Sequence, residues 1–190
     1  GGRPLWEADI FDEVYPTSLV RYRFDIENKC FAAPPVTLSA RAPEFPSIPQ
    51  QLSTRMTRFC YPVGTHTDII APEGEKGSGP PGSILKIDAD NPEHNEVFCF
   101  EPYEFPGEVI FVPKVGADVT DPKQEDCGYI INFVTNPHDK TTDLLVFDVE
   151  GSGKLEEGPV SRIRLPTFIP HGLHGCWADG VTFDFEQASG

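Results

Sequence analysis

Two histidines near the carboxyl end carry the most distinctive chemistry of the chain. They are His171 and His174, within "RLPTFIPHGLHGCWADG" at 164–180, where glycines, prolines and a tryptophan surround them. A neutral imidazole can bind a metal ion through one ring nitrogen and donate its other N–H to a carboxylate, which fixes the ring. The same stretch could instead be a tight turn before a final strand, because histidines at this spacing on a non-helical segment need not face the same way. A metal site here therefore needs carboxylates that other parts of the chain bring to the histidines.

Other catalytic arrangements have weak support. The chain contains no GxSxG elbow, no phosphate-binding GxxxxGK loop and no GxGxxG motif opening a helix. Cys176 stands beside His174, but neighbouring turn residues do not establish the thiol–base hydrogen bond that a cysteine nucleophile requires. The remaining histidines occur in loop or turn sequences and are predicted to be surface residues: His66, His94 and His138.

A repeat supplies the carboxylates. Strand-like runs end in an aspartate at Asp25, Asp88 and Asp148, with offsets of 63 and 60 residues. Each is followed by a second strand-like piece and a proline-rich turn that introduces a polar residue, in order Glu44, Glu108 and His174. A unit of a few strands recurring in this way is typical of a β-propeller, whose blades each place their first strand at the central axis. If the turns lead to innermost strands, two carboxylates and an imidazole converge. Common turn chemistry in a β-rich chain could also produce the alignment by chance.

The elements that would position these residues are strands. Helix signals are nearly absent, because 20 prolines and 17 glycines leave few windows with an apolar stripe at helical spacing. Runs rich in Val, Ile, Phe and Tyr predict antiparallel strands at 18–26, 83–88, 95–102, 108–113, 128–135, 143–150 and 161–166. The intervening segments are predicted to be an exposed loop at 71–83 and hairpin connections at 136–143 and 150–158.

Composition restricts the function classes. The net charge of -15 argues against a nucleic-acid partner, which requires clustered Lys and Arg. No apolar run is long enough to cross a bilayer, and the amino end has no signal-peptide pattern. The only methionine is Met56, so we expect residues 1–190 to be a fragment. Five cysteines without a CxxC pair predict reduced, mostly packed thiols and a cytoplasmic setting.

Three segments resemble motifs of the carotenoid cleavage oxygenases, a family that includes apocarotenoid-cleaving and stilbene-cleaving enzymes. "APEFPSI" (42–48) resembles the Glu-Phe/Leu-Pro stretch of that family, and "FPGEVIFVPKVGA" (105–117) resembles its Glu-Pro-x-Phe-Val-Pro-Arg stretch. "IPHGLHGCW" (169–177) resembles its closing Pro-x-Gly-x-His-Gly-x-aromatic stretch. Two departures are mild, since Val109 stands where the family prefers Pro and Lys114 where it prefers Arg, and the loops at 71–83 and 118–126 look like insertions. The serious departure is that the other histidines of this chain do not occupy the remaining histidine motifs of the family.

The resemblance implies a fold and a cofactor. It implies an all-β chain that forms the carboxyl-terminal blades of a seven-bladed β-propeller, with 1–190 as part of that single domain. It also implies a non-haem Fe(2+) ion held by four histidines that glutamates orient. By position His174 matches the last iron ligand, Glu44 and Glu108 match two of the orienting glutamates, and His171 is at most a supporting neighbour. The other three ligands are expected upstream of Gly1.

Two functional hypotheses follow from the resemblance. In the first, the protein is a dioxygenase that uses iron and O2 to cleave a conjugated C=C bond of an apolar carotenoid, apocarotenoid or stilbene, and this chain alone is inactive. Peripheral membrane contact through other parts of the protein is a further expectation. In the second, the chain is a non-catalytic propeller remnant or binding module, because one histidine cannot retain catalytic iron.

Overall fold

The computed structural model describes residues 17–65 and 80–181, and predictions for the amino end, His66 and most of the loop at 71–83 lie outside these residues. The described residues form strands and three single-turn 3-10 helices, at Gln50–Leu52, Pro92–His94 and Leu155–Glu157, with no α-helix in this part of the chain. The strands are β1 (Leu19–Asp25), β2 (Cys30–Ser39), β3 (Glu44–Ser47), β4 (Phe59–Thr65), β5 (Pro81–Asp88), β6 (Glu96–Cys99), β7 (Phe105–Pro113), β8 (Gly128–Asn136), β9 (Thr141–Asp148) and β10 (Ser161–Arg164).

The strands form antiparallel sheets in which neighbours in the chain are neighbours in space. Strands β3 to β6 form one four-stranded sheet, β7 to β10 form a second, and β1 pairs with β2 in a separate hairpin. Edge strands β3 and β7 contact each other, and β7 also packs on β4 and β5. Two four-stranded meanders packed side by side at their first strands are the arrangement of propeller blades. The prediction of an all-β, propeller-type fold is confirmed.

The repeated aspartates have a structural role in this arrangement. Asp25, Asp88 and Asp148 are the last residues of β1, β5 and β9, the third strand of a blade or its equivalent in the hairpin. Each carboxylate accepts a backbone N–H from the turn that follows, donated by Asn28, by Asp90 and Asn91, or by Glu150. Aspartate is favoured there because its short side chain can bond to the backbone of its own turn. The repeat in the sequence therefore reflects the same hairpin built in each blade.

Strands β2, β3 and β4 are absent from the predicted set, and prolines explain why. In β2, Pro34 and Pro35 face the single residue Tyr22 in a bulge. Glu44 pairs with Val63 and Ser47 with Tyr61, so Phe45 and Pro46 face the single residue Pro62 in a β-bulge. A bulge leaves ladder hydrogen bonds unmade, so it tolerates proline, which has no N–H to donate. Two predictions also need correction at their edges, because 81–83 belongs to β5 and 141–143 belongs to β9.

One apolar core joins the two four-stranded sheets, and a smaller one lies under the hairpin. The main core contains Phe59, Tyr61, Val63, Ile84 and Phe100 from the first sheet and its flanks, and Val109, Phe111, Ile130, Val134, Leu145, Phe147 and Val149 from the second. The smaller core contains Leu38, Leu85, Ile87 and Ala89. The two four-stranded sheets therefore share the main core, and the first sheet also packs Leu85 and Ile87 against the hairpin.

The segment 118–126, which the motif comparison predicts to be an insertion, contributes to this core. Val119 is buried within the core, and the Glu125 carboxylate is buried where the segment meets the first sheet. The Glu125 Oε1 atom accepts hydrogen bonds from the backbone N–H groups of Arg58 and Phe59, at 2.6 and 2.8 Å. The segment therefore ties the second sheet to the start of β4.

The cysteines and the helices test two further predictions. All five cysteines are free thiols, but Cys30, Cys99 and Cys176 are exposed, so the prediction of mostly packed thiols is wrong. These three lie in edge strands or in the final irregular segment, where a side chain has few neighbours. Within 17–65 and 80–181, no helix has the length and apolarity to span a bilayer.

Candidate metal site

Glu108 occupies a β-bulge in β7, the edge strand nearest the other sheet. Pro106 pairs with Val134 and Val109 pairs with Asn132, so Gly107 and Glu108 together face the single residue Phe133. An extra residue in one strand breaks the alternation of side chains and turns the local backbone. The bulge therefore allows Glu108 to point away from the regular face of the sheet.

The Glu108 carboxylate binds the turn that contains His174. Its Oε2 atom accepts the backbone N–H of Gly175 at 2.7 Å, and its Oε1 atom lies 3.4 Å from Nδ1 of His174. The first is a short hydrogen bond to a carboxylate oxygen, and the second is a contact longer than a usual N–H···O hydrogen bond. One carboxylate thus holds both the backbone and the ring of this turn. An added Cβ at Gly175 would lie 3.0 Å from Cδ1 of Ile110, so glycine leaves room for that side chain next to the turn.

The segment leading to His174 has no regular secondary structure and is attached by side chains. Thr142 Oγ1 accepts the N–H of Ile169 and donates to its carbonyl, both at 2.8 Å. His171 Nε2 donates to the carbonyl of Pro106 at 3.0 Å. The prediction that His171 is a supporting neighbour agrees with this contact, because its ring is used to fasten the turn to β7.

His174 presents its second ring nitrogen away from Glu108. Its side chain is 72% exposed, and none of the described residues hydrogen-bonds to Nε2. The ring of Phe45 meets the imidazole edge-on, with centroids 5.6 Å apart. The imidazole is therefore oriented on one side by a carboxylate and packed by an aromatic ring, while Nε2 is available to a metal ion.

Glu44 is not joined to His174. It is the first residue of β3, its side chain is exposed, and no described residue donates a hydrogen bond to it. The neighbouring Phe45, which has a positive φ of 51°, is the residue that reaches His174. Sequence reasoning missed Phe45, although it lies within the "APEFPSI" motif. The structure thus brings Glu108 and His174 together and leaves the orienting role of Glu44 as a prediction.

The other predicted histidines lie elsewhere. His94 and His138 are exposed, as predicted, and His138 contacts Asp139 at 2.8 Å and stacks on Tyr103. Within the described ranges, no three or more of His, Cys, Asp and Glu are close enough to hold a metal ion together. His174 therefore fits iron as one oriented ligand, and the described residues do not supply the rest of a coordination sphere.

Two pockets flank the Glu108–His174 pair. An open, mainly apolar pocket of about 140 Å³ is lined by Ile110, Phe133, Ile169 and Leu173 beside the two residues. A second pocket of about 320 Å³ lies between β3 and β7 and is lined by Pro46, Ile48, Phe111 and Trp177, again beside Glu108. The Glu108–His174 pair therefore lies between the apolar pocket and the pocket between β3 and β7.

Comparison with known proteins decides the family. The model of the family described as retinal pigment epithelial membrane protein (RPE65) matches residues 3–179. The chain belongs to this family of carotenoid cleavage oxygenases. It is 27% identical over 168 residues to apocarotenoid-15,15'-oxygenase of Synechocystis, covering 88% of this chain and 31% of that protein. It is 39% identical over 72 residues to lignostilbene-alpha,beta-dioxygenase isozyme III of Sphingomonas paucimobilis, covering 38% of this chain and 13% of that protein.

Solved structures of the family share the fold. The crystal structure of the cobalt-substituted Synechocystis oxygenase matches with a TM-score of 0.75 and 26% identity, over 90% of this chain and 32% of that one. The chain thus spans about a third of the length of these carotenoid oxygenases.

Proposed function

We propose that this chain is part of a non-haem iron(II) dioxygenase that cleaves a conjugated C=C bond of a carotenoid, apocarotenoid or stilbene with O2. The proposal rests mainly on the Glu108 carboxylate, which binds the backbone of Gly175 and faces Nδ1 of His174. A ligand histidine in proteins usually donates its other N–H to such a group. Named relatives include an apocarotenoid oxygenase and a lignostilbene dioxygenase, which supports the substrate class.

In this proposal His174 binds Fe(2+) through Nε2, Glu108 orients its ring, and Glu44 orients a histidine outside this chain. Iron, when bound, would supply the activation of O2. Neutral imidazole ligands do not offset the charge of the ion, so carboxylates behind them can do so without using a coordination position. Glu108 is suited to this because it reaches His174 from the side opposite Nε2, while Phe45 limits rotation of the ring.

The apolar pocket beside the pair is the part of this chain suited to a hydrocarbon. Ile110, Phe133 and Leu173 line it next to His174, and they offer dispersion contacts without hydrogen-bond donors. Selectivity among polyenes or stilbenes would then depend on the shape of this surface and of the parts that complete it. Peripheral membrane contact through the rest of the complete protein would give access to a poorly soluble substrate. We also propose a cytoplasmic location for the protein.

The ligand role is tested by His174→Ala in the complete enzyme. We expect iron content and substrate cleavage to be lost, because a ligand and its oriented hydrogen bond are removed together. Iron per chain is measured by elemental analysis, and cleavage by chromatography of the carbonyl products. His94→Ala is the matched control, since His94 is exposed and lies outside the pair. Retention of iron and turnover in His174→Ala would contradict the assignment.

A second candidate is a non-catalytic propeller remnant or binding module. It is favoured by the finding that no described cluster holds three or more potential metal ligands. In this case the purified 190-residue chain would bind no stoichiometric iron and cleave no polyene. We expect this chain alone to bind no stoichiometric iron and to cleave no polyene. The complete enzyme should bind iron and cleave the substrate. Stoichiometric iron and cleavage by the isolated chain would eliminate the remnant hypothesis.

A further inference from the structure

The bulge that aims Glu108 is held by a buried amide on the next strand. Asn132 of β8 is 1% exposed, and its Nδ2 group donates to the carbonyl of Gly107 at 2.7 Å and to that of Glu108 at 3.1 Å. These carbonyls belong to the two residues that share one partner across the ladder. A bulge leaves backbone groups without their regular partners, and a buried carbonyl needs a donor. The Asn132 side chain supplies the donor for both bulge carbonyls, those of Gly107 and Glu108.

A third carbonyl in the same row is satisfied in the same way. His171 Nε2 donates to the carbonyl of Pro106, so the consecutive carbonyls of 106, 107 and 108 all accept hydrogen bonds from side chains. Asn132 serves the two residues of the bulge from within the sheet, and His171 serves Pro106 from the terminal segment. The backbone that carries Glu108 is thereby fixed on both sides.

The orientation of the Asn132 amide follows from its partners. Both groups that it faces are carbonyl acceptors, so the nitrogen must point toward them and the oxygen away. The buried Oδ1 atom has no hydrogen-bond partner among the described residues. Leaving a buried acceptor unpaired is costly, and an apolar side chain of the same size would avoid that cost. Packing alone therefore does not account for asparagine here, whereas the two carbonyls do.

We propose that Asn132 is a positioning residue that sets the direction of the Glu108 carboxylate and, through it, of His174 and Gly175. The extension to a metal ligand rests on the proposed function, but the orientation of Glu108 does not. Rotation of the Glu108 peptide changes the direction of its Cα–Cβ bond, and the carboxylate must still reach two groups in another segment. Holding the peptide by its carbonyl limits that rotation.

The test uses Asn132→Leu in the complete enzyme, which keeps the number and branching of the side-chain heavy atoms and removes both donors. The first readout is hydrogen exchange of the peptide containing Gly175, whose amide donates to Glu108 at 2.7 Å. A hydrogen bond to a charged acceptor slows the local opening that exposes the Gly175 amide. Its loss should therefore speed exchange of this amide by about tenfold or more. The second readout is the affinity for iron, which should fall by about 10- to 100-fold when a supporting partner is lost.

The matched control is Asn95→Leu, which removes a structural amide remote from the bulge. Asn95 donates to the carbonyl of Leu38 and accepts from the N–H of Asp88. This variant should lower the melting temperature while leaving Gly175 exchange within about twofold of wild type, because opening there is local. If Asn132→Leu does not fold, Asn132→Ser replaces it, since the shorter hydroxyl cannot reach both carbonyls.

A double-mutant cycle with Glu108→Ala separates positioning from a general loss of stability. If Asn132 acts through Glu108, its substitution should add less than about twofold to Gly175 exchange once Glu108 is alanine. Independent effects, or Gly175 exchange in Asn132→Leu no faster than in Asn95→Leu, would overturn the proposal. Hydrogen exchange is measured without iron, so it tests the positioning role of Asn132 independently of the proposed function. If Gly175 exchanges faster in Asn132→Leu but the complete enzyme never binds iron, the positioning role is supported and only the proposed function is rejected.

Discussion

At the scale of residues, carboxylates perform two separate tasks in this chain. Glu108 is partly exposed and reaches across to the terminal turn, where it meets His174 and Gly175. Asp88 instead is buried at the end of β5, where Arg58 binds both of its oxygens at 2.9 and 2.6 Å. The first arrangement can serve a bound metal ion, whereas the second stabilises the fold.

The pH dependence of stability should reveal the role of Asp88. The Arg58 guanidinium and the N–H groups of Asp90 and Asn91 lower the pKa of Asp88 from 3.8 to about 2. Because the folded pKa lies below the unfolded one, the stabilisation is present above about pH 4 and is lost as the pH falls toward about 2. We expect Asp88→Asn to lower the free energy of unfolding by about 2 kcal/mol at pH 7 and by much less near pH 2.

Urea unfolding at pH 7, 4 and 2.5 measures this difference. Asp179→Asn is the control, since Asp179 is exposed and has no hydrogen bond or ion pair to the described residues. A difference between wild type and Asp88→Asn that stays constant with pH would show that the ion pair does not depress the pKa of this carboxyl.

At the scale of elements, bulges in two edge strands determine how the site is presented. The bulge in β3 brings Phe45 to the imidazole, and the bulge in β7 brings Glu108 to it. Both strands are at the edge of their sheets, where a missing ladder bond disturbs only one neighbour. Regular strands in these places would direct the side chains to alternate faces and separate the groups that meet here.

The start of β8 depends on a glycine that lies under an aromatic ring. A Cβ at Gly128 would be 2.2 Å from Cζ of Phe111, whose ring stacks on Tyr61 at 5.5 Å. We expect Gly128→Ala to reduce the free energy of unfolding by about 2 to 3 kcal/mol, because the core would be overpacked. Thermal or urea unfolding measures the effect.

Gly107→Ala is the matched strand substitution. Its added Cβ would make an ordinary contact of 3.4 Å with the carbonyl of Phe133. The expected change is within about 1 kcal/mol of wild type. Equal losses in the two variants would show that the Phe111 ring moves aside and that the clash does not control stability.

At the scale of the whole molecule, the two four-stranded sheets should unfold together. Lys86 of β5 is buried, and its Nζ atom donates to Asp126 at 2.8 Å and to the carbonyls of Val149 and Gly151 at 2.7 Å. The ammonium therefore joins the first sheet to segments that flank the second. A shared core and a shared buried cation make separate transitions unfavourable.

The prediction is a single transition in urea, with the same midpoint by circular dichroism and by thiol protection of Cys60 and Cys127. Lys86→Met should lower that midpoint for every probe, with a loss of about 3 kcal/mol, because the Asp126 carboxylate loses its counter-charge and the carbonyls of Val149 and Gly151 lose their donor. Lys123→Met is the control, since Lys123 is exposed and its ammonium contacts no described acceptor. Two transitions, or a shift confined to one probe, would contradict this account.

Much of the fold could be predicted from the sequence because its signals are local. Turn-capping aspartates and runs of branched and aromatic residues lie within a few positions of one another, so the hairpins at β5–β6 and β9–β10 could be located without tertiary information. The same locality hid β2, β3 and β4, because prolines that normally end a strand are accommodated there by bulges. The three motifs were sufficient to identify the family.

The sequence by itself determined the residue types available for the site, namely a histidine among glycines and two glutamates at repeated positions. Only the tertiary structure decided that Glu108 meets His174, that Glu44 does not, and that Phe45 and Asn132 support the arrangement. The physical reason is that Glu108 and His174 are 66 residues apart. Their contact depends on the register of β7 with β8 and on the path of an irregular segment, and neither is set by local patterning.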